Sequence, residues 1–288
     1  MTAAKLFPEL RGRVAIVTGA NRGLGRSIAR TFSDVGIRTL LVGRDANLGA
    51  AAAAELADAS FLAADLQADD AAETIVAACL ERFRGLDILV NNAAIYPALP
   101  FGKLTSADVS SVYQTNAIAP TLLMQAAAAS MIDRAVPGSI VNVISAAAFR
   151  PVPTQLAYGS AKAALAYATR AAALELAAHG IRVNAVSPGA MDHGEGGRAA
   201  ALGLTEDEYQ EFVTMLIARI PLGRKAASRE VAASVLFLCS DMASVVTGHV
   251  LHCDGGETAL QDRDRDHRAA DAAHGGRGQP RGGGVPVR

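Results

Sequence analysis

The stretch Thr18-Gly19-Ala20-Asn21-Arg22-Gly23-Leu24-Gly25 (TGANRGLG) lies between a β-branched run at 13–18 and a helical pattern at 25–34. Glycine permits a tight turn and close approach of the backbone to a pyrophosphate, and a helix N-terminus presents free N–H groups to an anion. A lone glycine trio is weak evidence, but this one has the strand–turn–helix context that a dinucleotide-binding turn requires. The turn predicts a nucleotide cofactor, with these candidate contacts: Gly19, Asn21, Arg22, Gly23, Leu24 and Gly25.

Short apolar runs alternate with alanine-rich helical patterns along most of the chain. Near-continuous apolar runs are typical of strands that are covered on both faces. Alternation of strand and helix predicts right-handed crossovers and an α/β fold, a single Rossmann-like domain with a doubly wound parallel sheet of about seven strands and helices on both faces. The predicted strands are 13–18, 37–42, 60–64, 86–90, 139–144, 181–187 and 246–252, and the predicted helices include 25–34, 71–83, 106–131, 155–179 and 229–239.

Two stretches interrupt this alternation, which otherwise predicts one domain at 12–260 behind an N-terminal extension at 1–11. Residues 190–219 contain a glycine-rich run and then a helical pattern, which beyond the carboxyl ends of the strands is a candidate substrate lid. An ordinary surface excursion is the alternative. Residues 261–288 are rich in Arg, Asp, Gly and Pro, so we expect a disordered tail. Aspartates interleave with its arginines and aromatic residues are absent, which favours a solvated tail over an RNA-binding arm.

Composition excludes several classes of partner. The 288 residues are 51% hydrophobic and 19% charged with a formal net charge of -1, so no overall basic field attracts nucleic acid or an anionic membrane. No apolar stretch approaches the roughly 20 residues that span a bilayer, and Pro8 and charges break the N-terminus, unlike a signal peptide. Cys79, Cys239 and Cys253 are odd in number and widely spaced, which favours reduced thiols. We therefore expect a cytoplasmic protein with no nucleic-acid or membrane partner.

The end of the second predicted strand bears on the choice of cofactor. NAD-binding proteins carry an acidic residue there for the ribose 2′-hydroxyl, whereas this chain has Gly43-Arg44. Arg22 in the glycine turn is a second cation, and a planar guanidinium bonds two phosphate oxygens at once. The pattern predicts NADP(H) rather than NAD, against the alternative of two solvent-facing arginines.

Tyr158-Gly-Ser-Ala-Lys162 places a phenol and an ammonium four residues apart on one face of a predicted helix. A nearby cation favours the phenolate, so we expect the lysine to bring the tyrosine pKa toward neutral pH, where a phenol can act as an acid or base. The spacing alone is common by chance. Ser145 at the end of the fifth strand, Asn91-Asn92-Ala93-Ala94 at the end of the fourth, and Asn116 between them strengthen the interpretation.

These motifs, in this order, resemble the short-chain dehydrogenase/reductase family. The resemblance covers about Gly12 to Gly256 and includes TGANRGLG at 18–25, Asp65, NNAA at 91–94, Asn116, Ser145, Tyr158 with Lys162, Ser187-Pro188-Gly189, and Gly248 to Asp254-Gly255-Gly256. It implies an oxidoreductase that transfers a hydride between NADP(H) and a small carbonyl or alcohol substrate.

The resemblance also implies residue roles. Tyr158 would exchange a proton with the substrate oxygen, and Ser145 would hydrogen-bond that oxygen. Lys162 would bind the nicotinamide ribose and lower the tyrosine pKa, and Asn116 would support a water in a proton path. Further cofactor contacts implied by the resemblance are Asp65, Leu66, Asn92, Ala93, Pro188, Gly189 and Met191.

Two departures keep other functions open. His193 stands where the family usually has a threonine that bonds the nicotinamide carboxamide, and Ala94 replaces a more usual glycine. A catalytically idle NADPH-binding sensor or partner-binding protein is therefore one alternative, and an epimerase or dehydratase on the same fold is another.

Oligomerisation, metal binding and the substrate pocket rest on weaker signals. The resemblance implies a homo-oligomer, a tetramer or a dimer, built through the helices at 106–131 and 155–179. His249 and His252 would point to opposite faces of a strand, so we expect no metal site. Aromatic and proline residues after the fourth and fifth strands could line an apolar pocket, although loop packing explains them equally well: Tyr96, Phe101, Phe149, Pro151 and Pro153.

Overall fold

The structure, a computed structural model, describes residues 3–192 and 205–259. The predicted tail at 261–288 and the middle of the predicted lid, including His193, lie outside these ranges. The strands are β1 Val14–Thr18, β2 Arg38–Gly43, β3 Ala59–Ala63, β4 Ile88–Asn91, β5 Gly138–Val143, β6 Ile181–Pro188, β7 Met191–Asp192, β8 Ala226–Ala227 and β9 Val250–Cys253. The helices are α1 Ala3–Leu6, α2 Gly23–Asp34, α3 Ala46–Ala54, α4 Ala71–Phe83, α5 Ser106–Tyr113, α6 Ala119–Asp133, α7 Leu156–Leu176, α8 Glu206–Ala218 and α9 Ser228–Cys239.

Seven strands form one sheet in the order β3-β2-β1-β4-β5-β6-β9, and every neighbouring pair is parallel. The predicted doubly wound parallel sheet is confirmed. The chain leaves β1 in one direction to build β2 and β3 and then returns to place β4 on its other side. Ligands bind beyond the carboxyl ends of strands at such a reversal, so the glycine turn after β1 lies at the expected place.

Each face of the sheet carries its own hydrophobic core. Side chains alternate between faces along a strand, and Ile16 packs in one core while Val17 packs in the other. The first core contains α4, α6 and α7, and the second contains α2 and α9, where Phe32 is fully buried. Burial on both faces explains why the strands read as continuous apolar runs.

The prediction of one long helix at 106–131 is wrong in one respect, because a π-helical turn at Gln114–Ile118 separates α5 from α6. Pro120 has no backbone N–H, so it cannot pair with the carbonyl of Asn116 four residues earlier. The N–H of Ala119 instead bonds the carbonyl of Gln114, five residues back. Such turns occur frequently at functional sites, and this one holds Asn116.

Other predicted boundaries also shift. The last strand begins at Val250 rather than at 246, because Gly248 has a left-handed φ of 72° that no regular strand accommodates. His249 therefore lies outside the strand. The prediction that His249 and His252 point to opposite faces of one strand is wrong and gives no argument against a metal site. Within the described ranges, no group of three His, Cys, Asp or Glu side chains is placed to hold a metal ion.

The structure describes most of the N-terminal extension and the helical part of the predicted lid. Leu10 of the predicted extension is buried in the second core, so that segment packs against the domain. The helical pattern of the predicted lid corresponds to α8, which begins with a capping box between Thr205 and Glu208. None of the described helices is apolar over a length that would cross a membrane.

Candidate active site

The glycine turn after β1 is packed against the end of β4. Oγ1 of Thr18 accepts hydrogen bonds from the N–H groups of Asn92 and Ala93, each at 3.0 Å, and Nδ2 of Asn92 donates to the Thr18 carbonyl at 2.9 Å. A Cβ on Gly19 would lie 2.9 Å from Cα of Ala93, and a Cβ on Gly25 would lie 2.2 Å from the Gly19 carbonyl oxygen. The glycines thus permit a close backbone approach within the protein, and the turn opens onto the N-terminus of α2.

The end of β2 offers cations and no free carboxylate. Arg22 and Arg44 are exposed, and neither guanidinium has a hydrogen-bond or ion-pair partner among the described residues. The nearest acid, Asp45, caps α3 and accepts from the N–H of Leu48 at 2.9 Å. Asn21 packs close to Gly43, which brings the glycine turn and the end of β2 together.

Ser145 and Tyr158 meet at the carboxyl end of β5. Ser145 begins a short 3-10 turn at Ala146–Ala148 and accepts from the N–H of Ala147 at 3.2 Å. Its side chain lies close enough to Tyr158 on α7 to affect the pKa of the phenol. Burial raises the pKa of Tyr158, while the Ser145 hydrogen bond lowers that pKa and the neighbouring Tyr96 raises it. That Lys162 lowers this pKa stays a prediction, because the groups that shift the pKa of Tyr158 in the protein alone do not include Lys162.

Lys162 is a buried ammonium one turn further along α7. Its side chain is 2% exposed, and Nζ donates to the carbonyl oxygen of Val143 at 2.7 Å. Burial lowers the pKa of Lys162 to about 8. Nζ lies 6.0 Å from the centre of the Tyr158 ring, so the ammonium and the phenol share one face of α7 without direct contact.

Asn116 joins the site through the backbone of the loop after β4. Its Oδ1 accepts from the N–H of Ile95 at 2.9 Å, and its Nδ2 donates to the Ile95 carbonyl at 2.8 Å. The next residue, Tyr96, sets its ring edge-to-face against Tyr158 with centroids 5.0 Å apart. Asn116 thus fixes the loop that carries Tyr96 to the catalytic candidates.

Sequence reasoning missed the partner of Tyr96. Gln155 donates from Nε2 to the Tyr96 hydroxyl at 2.8 Å, and the Leu99 N–H bonds the Thr154 carbonyl at 3.1 Å. Thr154 has a φ of 65°, which is uncommon for a β-branched residue and occurs most often at functional sites. The only sequence signal was the aromatic residue itself, since no spacing rule connects residues 96 and 155.

The remaining predicted cofactor contacts differ in what they can offer. Leu24 and Leu66 are each 8% exposed with side chains packed in the cores, so ligand contacts there would use their backbone atoms. Asp65 is exposed and accepts from the N–H of Gln67. Met191 lies in β7, which pairs with β8 directly after the Pro188-Gly189 turn.

The residues present fit a nicotinamide dinucleotide. The glycine turn leaves backbone room at a helix N-terminus, two unpaired guanidiniums lie near the end of β2, and the buried ammonium of Lys162 has one protein acceptor. These groups follow the carboxyl edge of the sheet from β2 to β5. A cofactor extended along this edge would lie between the guanidiniums at one end and Tyr158 at the other.

Comparisons with known proteins agree with this arrangement. A family model described as enoyl-(acyl carrier protein) reductase matches residues 19–258. The 3-oxoacyl-[acyl-carrier-protein] reductase FabG of Aquifex aeolicus is 34% identical over 253 residues, covering 86% of this chain and 98% of the relative. Galactitol 2-dehydrogenase of Agrobacterium fabrum is 34% identical over 255 residues, with the same two coverages. A solved structure of a short chain dehydrogenase/reductase family protein is 38% identical with a TM-score of 0.76, covering 88% of this chain and all of that one.

Proposed function

Because the chain belongs to the short-chain dehydrogenase/reductase family and is an oxidoreductase of CH–OH and C=O groups, we propose that it is an NADP(H)-dependent enzyme acting in the direction of ketone reduction. The observation that carries this proposal is the placement of Ser145 next to Tyr158, with the buried Lys162 one turn away on the same helix. When bound, the dinucleotide supplies the hydride. The chain's own groups supply the proton and the geometry.

Each residue has a distinct role in this proposal. Tyr158 donates its proton to the carbonyl oxygen during reduction, and Ser145 hydrogen-bonds the same oxygen as negative charge develops on it. Lys162 holds the ribose end of the cofactor beside the phenol. Asn116, in the π-helical turn, anchors the loop after β4 and supports the path by which the proton is replaced. Burial raises the pKa of Tyr158 in the protein alone, so the phenol is protonated at neutral pH and holds the proton that reduction consumes.

The test of this function is NADPH oxidation with a panel of carbonyl compounds. The panel should contain cyclic and aromatic ketones, acyl thioesters, quinones and sugars, because the described residues do not single out one of them. Turnover of at least one ketone supports the proposal. Cofactor binding without turnover across the whole panel would contradict it and would favour the idle sensor, whose one supporting feature, His193, lies outside the described residues.

We propose NADP(H) rather than NAD(H) because Arg22 and Arg44 are exposed without protein partners and Asp45 is engaged as a helix cap. Replacing Arg44 with alanine should raise the KM for NADPH by about 10-fold and leave the KM for NADH unchanged, since a charge-assisted hydrogen bond contributes about 1.5–3 kcal/mol. Arg22→Ala should act in the same direction. Steady-state kinetics with both cofactors measures this.

Arg30→Ala provides the matched control, because Arg30 is an exposed arginine of α2 that pairs with Glu55. It should leave both KM values unchanged. A wild-type preference for NADH would contradict the proposed cofactor, whatever the variants do.

The homo-oligomer implied by the family resemblance is also a proposal. On α7, Tyr167 is 73% exposed and Leu174 is 84% exposed, and Leu122 on α6 is 40% exposed. Large exposed apolar side chains on two neighbouring helices are typical of an association surface. Light scattering of the full chain would distinguish a dimer or tetramer from a 29.6 kDa monomer.

A further inference from the structure

Arg150 and Glu257 form the most buried ion pair in the described part of the chain. Nη2 of Arg150 lies 2.6 Å from Oε1 of Glu257, and the two side chains are 15% and 5% exposed. Every other ion pair within the same ranges has a partner that is at least 37% exposed. Removing two charges from water costs about as much as their attraction returns, so stability alone gives no reason for a buried pair here.

Glu257 covers the turn at Pro188-Gly189. The backbone reverses after β9, where the carboxylate of Asp254 accepts from the N–H groups of Gly256 and Thr258, each at 2.9 Å. This reversal places Oε2 of Glu257 only 2.8 Å from the position that a Cβ on residue 189 would occupy. The same Cβ would lie 2.8 Å from Cβ of Asp254, so the turn packs closely against both Asp254 and Glu257.

Arg150 belongs to the segment that begins with Ser145. Its N–H bonds the Ala146 carbonyl at 3.0 Å, which ties it to the 3-10 turn after the serine. The Ala147 carbonyl oxygen lies 2.9 Å from where a Cβ on Gly159 would be, directly beside Tyr158. The 145–150 segment therefore packs against α7 on one side and, through the guanidinium of Arg150, against Glu257 on the other.

We propose that Arg150 and Glu257 are positioning residues that hold the Ser145 segment and the Pro188-Gly189 turn in a fixed position relative to each other. The ion pair bonds the Ser145 segment to Glu257, whose carboxylate packs on the Pro188-Gly189 turn. In the proposed function Ser145 contacts the substrate oxygen and this turn borders the cofactor. This rests on the proposed function. A misplacement of about 1 Å between reacting groups lowers the rate about 100-fold. Movement of the two segments relative to each other would therefore lower kcat more than it would change cofactor affinity.

The test uses the double variant Arg150→Met/Glu257→Met in the full chain, since removing both charges avoids an unpaired buried charge. We expect the KM for NADPH to change by less than threefold while kcat falls by about 10-fold or more. The deuterium isotope effect on kcat with C4-deuterated NADPH should rise as hydride transfer becomes rate-limiting. The exposed pair Arg30–Glu55 gives the control, and Arg30→Met/Glu55→Met should change none of these values.

A second readout does not depend on turnover. Hydrogen exchange should be faster at 145–152 and 186–192 in the double variant and unchanged in the control. A double variant with kcat within twofold of wild type and unchanged exchange in both segments overturns the proposal. If the wild-type protein reduces no carbonyl, the proposed function fails and the exchange experiment alone decides the positioning role.

If the double variant does not fold, the Arg150→Lys variant tests the proposal by the same measurements of kcat, the KM for NADPH and hydrogen exchange. Lysine keeps the charge but loses the planar fork, so kcat should fall with little change in melting temperature. Full kcat in a folded Arg150→Lys variant with unchanged exchange would count against the proposal.

Discussion

Replacing Tyr158 with phenylalanine is expected to lower kcat for ketone reduction by about 10²–10⁴-fold, the usual contribution of a positioned general acid. The change removes one hydroxyl, the group whose pKa the neighbouring Ser145 affects. The phenyl ring keeps its edge-to-face contact with Tyr96 and its place beside Lys162. NADPH affinity should therefore stay within a few-fold of wild type, which fluorescence of the bound nicotinamide measures.

Tyr167→Phe is the matched control for this variant. Tyr167 lies on the same helix α7, but its side chain is 73% exposed, so losing its hydroxyl should leave kcat unchanged. A Tyr158→Phe variant that keeps more than a tenth of wild-type kcat would remove the proposed acid from the mechanism. Loss of both turnover and NADPH binding would instead indicate that the ring had moved.

The fold could be predicted from the sequence because strands that are buried on both faces are apolar at nearly every position. The first four residues of β1 are apolar since their side chains enter both cores, and the glycine turn at 18–25 marks the edge where a nucleotide would bind. α3 was not among the predicted helices, because its run of alanines has no polar face to give a 3.6-residue period. The start of β9 was misplaced because an apolar run does not reveal that Gly248 adopts a positive φ.

The candidate site was only partly predictable. Parallel strands end at one edge, so Ser145 after β5 and Tyr158 on the following helix could be placed together from topology. The direction of the Tyr158 pKa shift could not be obtained this way, because its largest cause is burial and burial depends on the whole fold. Arg150 and Glu257 are 107 positions apart in the sequence, so no local sequence pattern predicts their ion pair.

Replacing Lys162 with methionine should abolish measurable ketone reduction and at the same time stabilise the protein at neutral pH. The loss of activity follows from the proposed role of the ammonium at the ribose and beside the phenol. The gain in stability follows from burial, which lowers the pKa of Lys162 to about 8 in the folded chain, against 10.5 for an unperturbed lysine. Below pH 8 the folded protein therefore carries a buried ammonium that is better solvated in the unfolded chain.

The pH dependence of this effect has a definite sign. Between pH 8 and 10.5 the unfolded chain binds more protons at this lysine than the folded chain does, so the free energy of unfolding rises with pH in that window. Since one pKa unit corresponds to about 1.4 kcal/mol, the cost of burying the ammonium at pH 7 is about 3 kcal/mol. Methionine is similar in length and uncharged, but it leaves the Val143 carbonyl without this donor, which offsets about 1–2 kcal/mol.

The variant should therefore be more stable than wild type by about 1–2 kcal/mol at pH 7. This advantage should shrink above pH 8 and vanish before pH 10.5, where only the lost hydrogen bond to Val143 remains. Urea unfolding of both proteins at pH 7 and pH 9.5 measures it, with Lys103→Met as the control because that side chain is exposed. A Lys162→Met variant that is inactive and also less stable at pH 7 would mean that the ammonium supports the fold. An inactive variant that is more stable would mean that the fold tolerates the buried charge at a net cost, which only a function at the site explains.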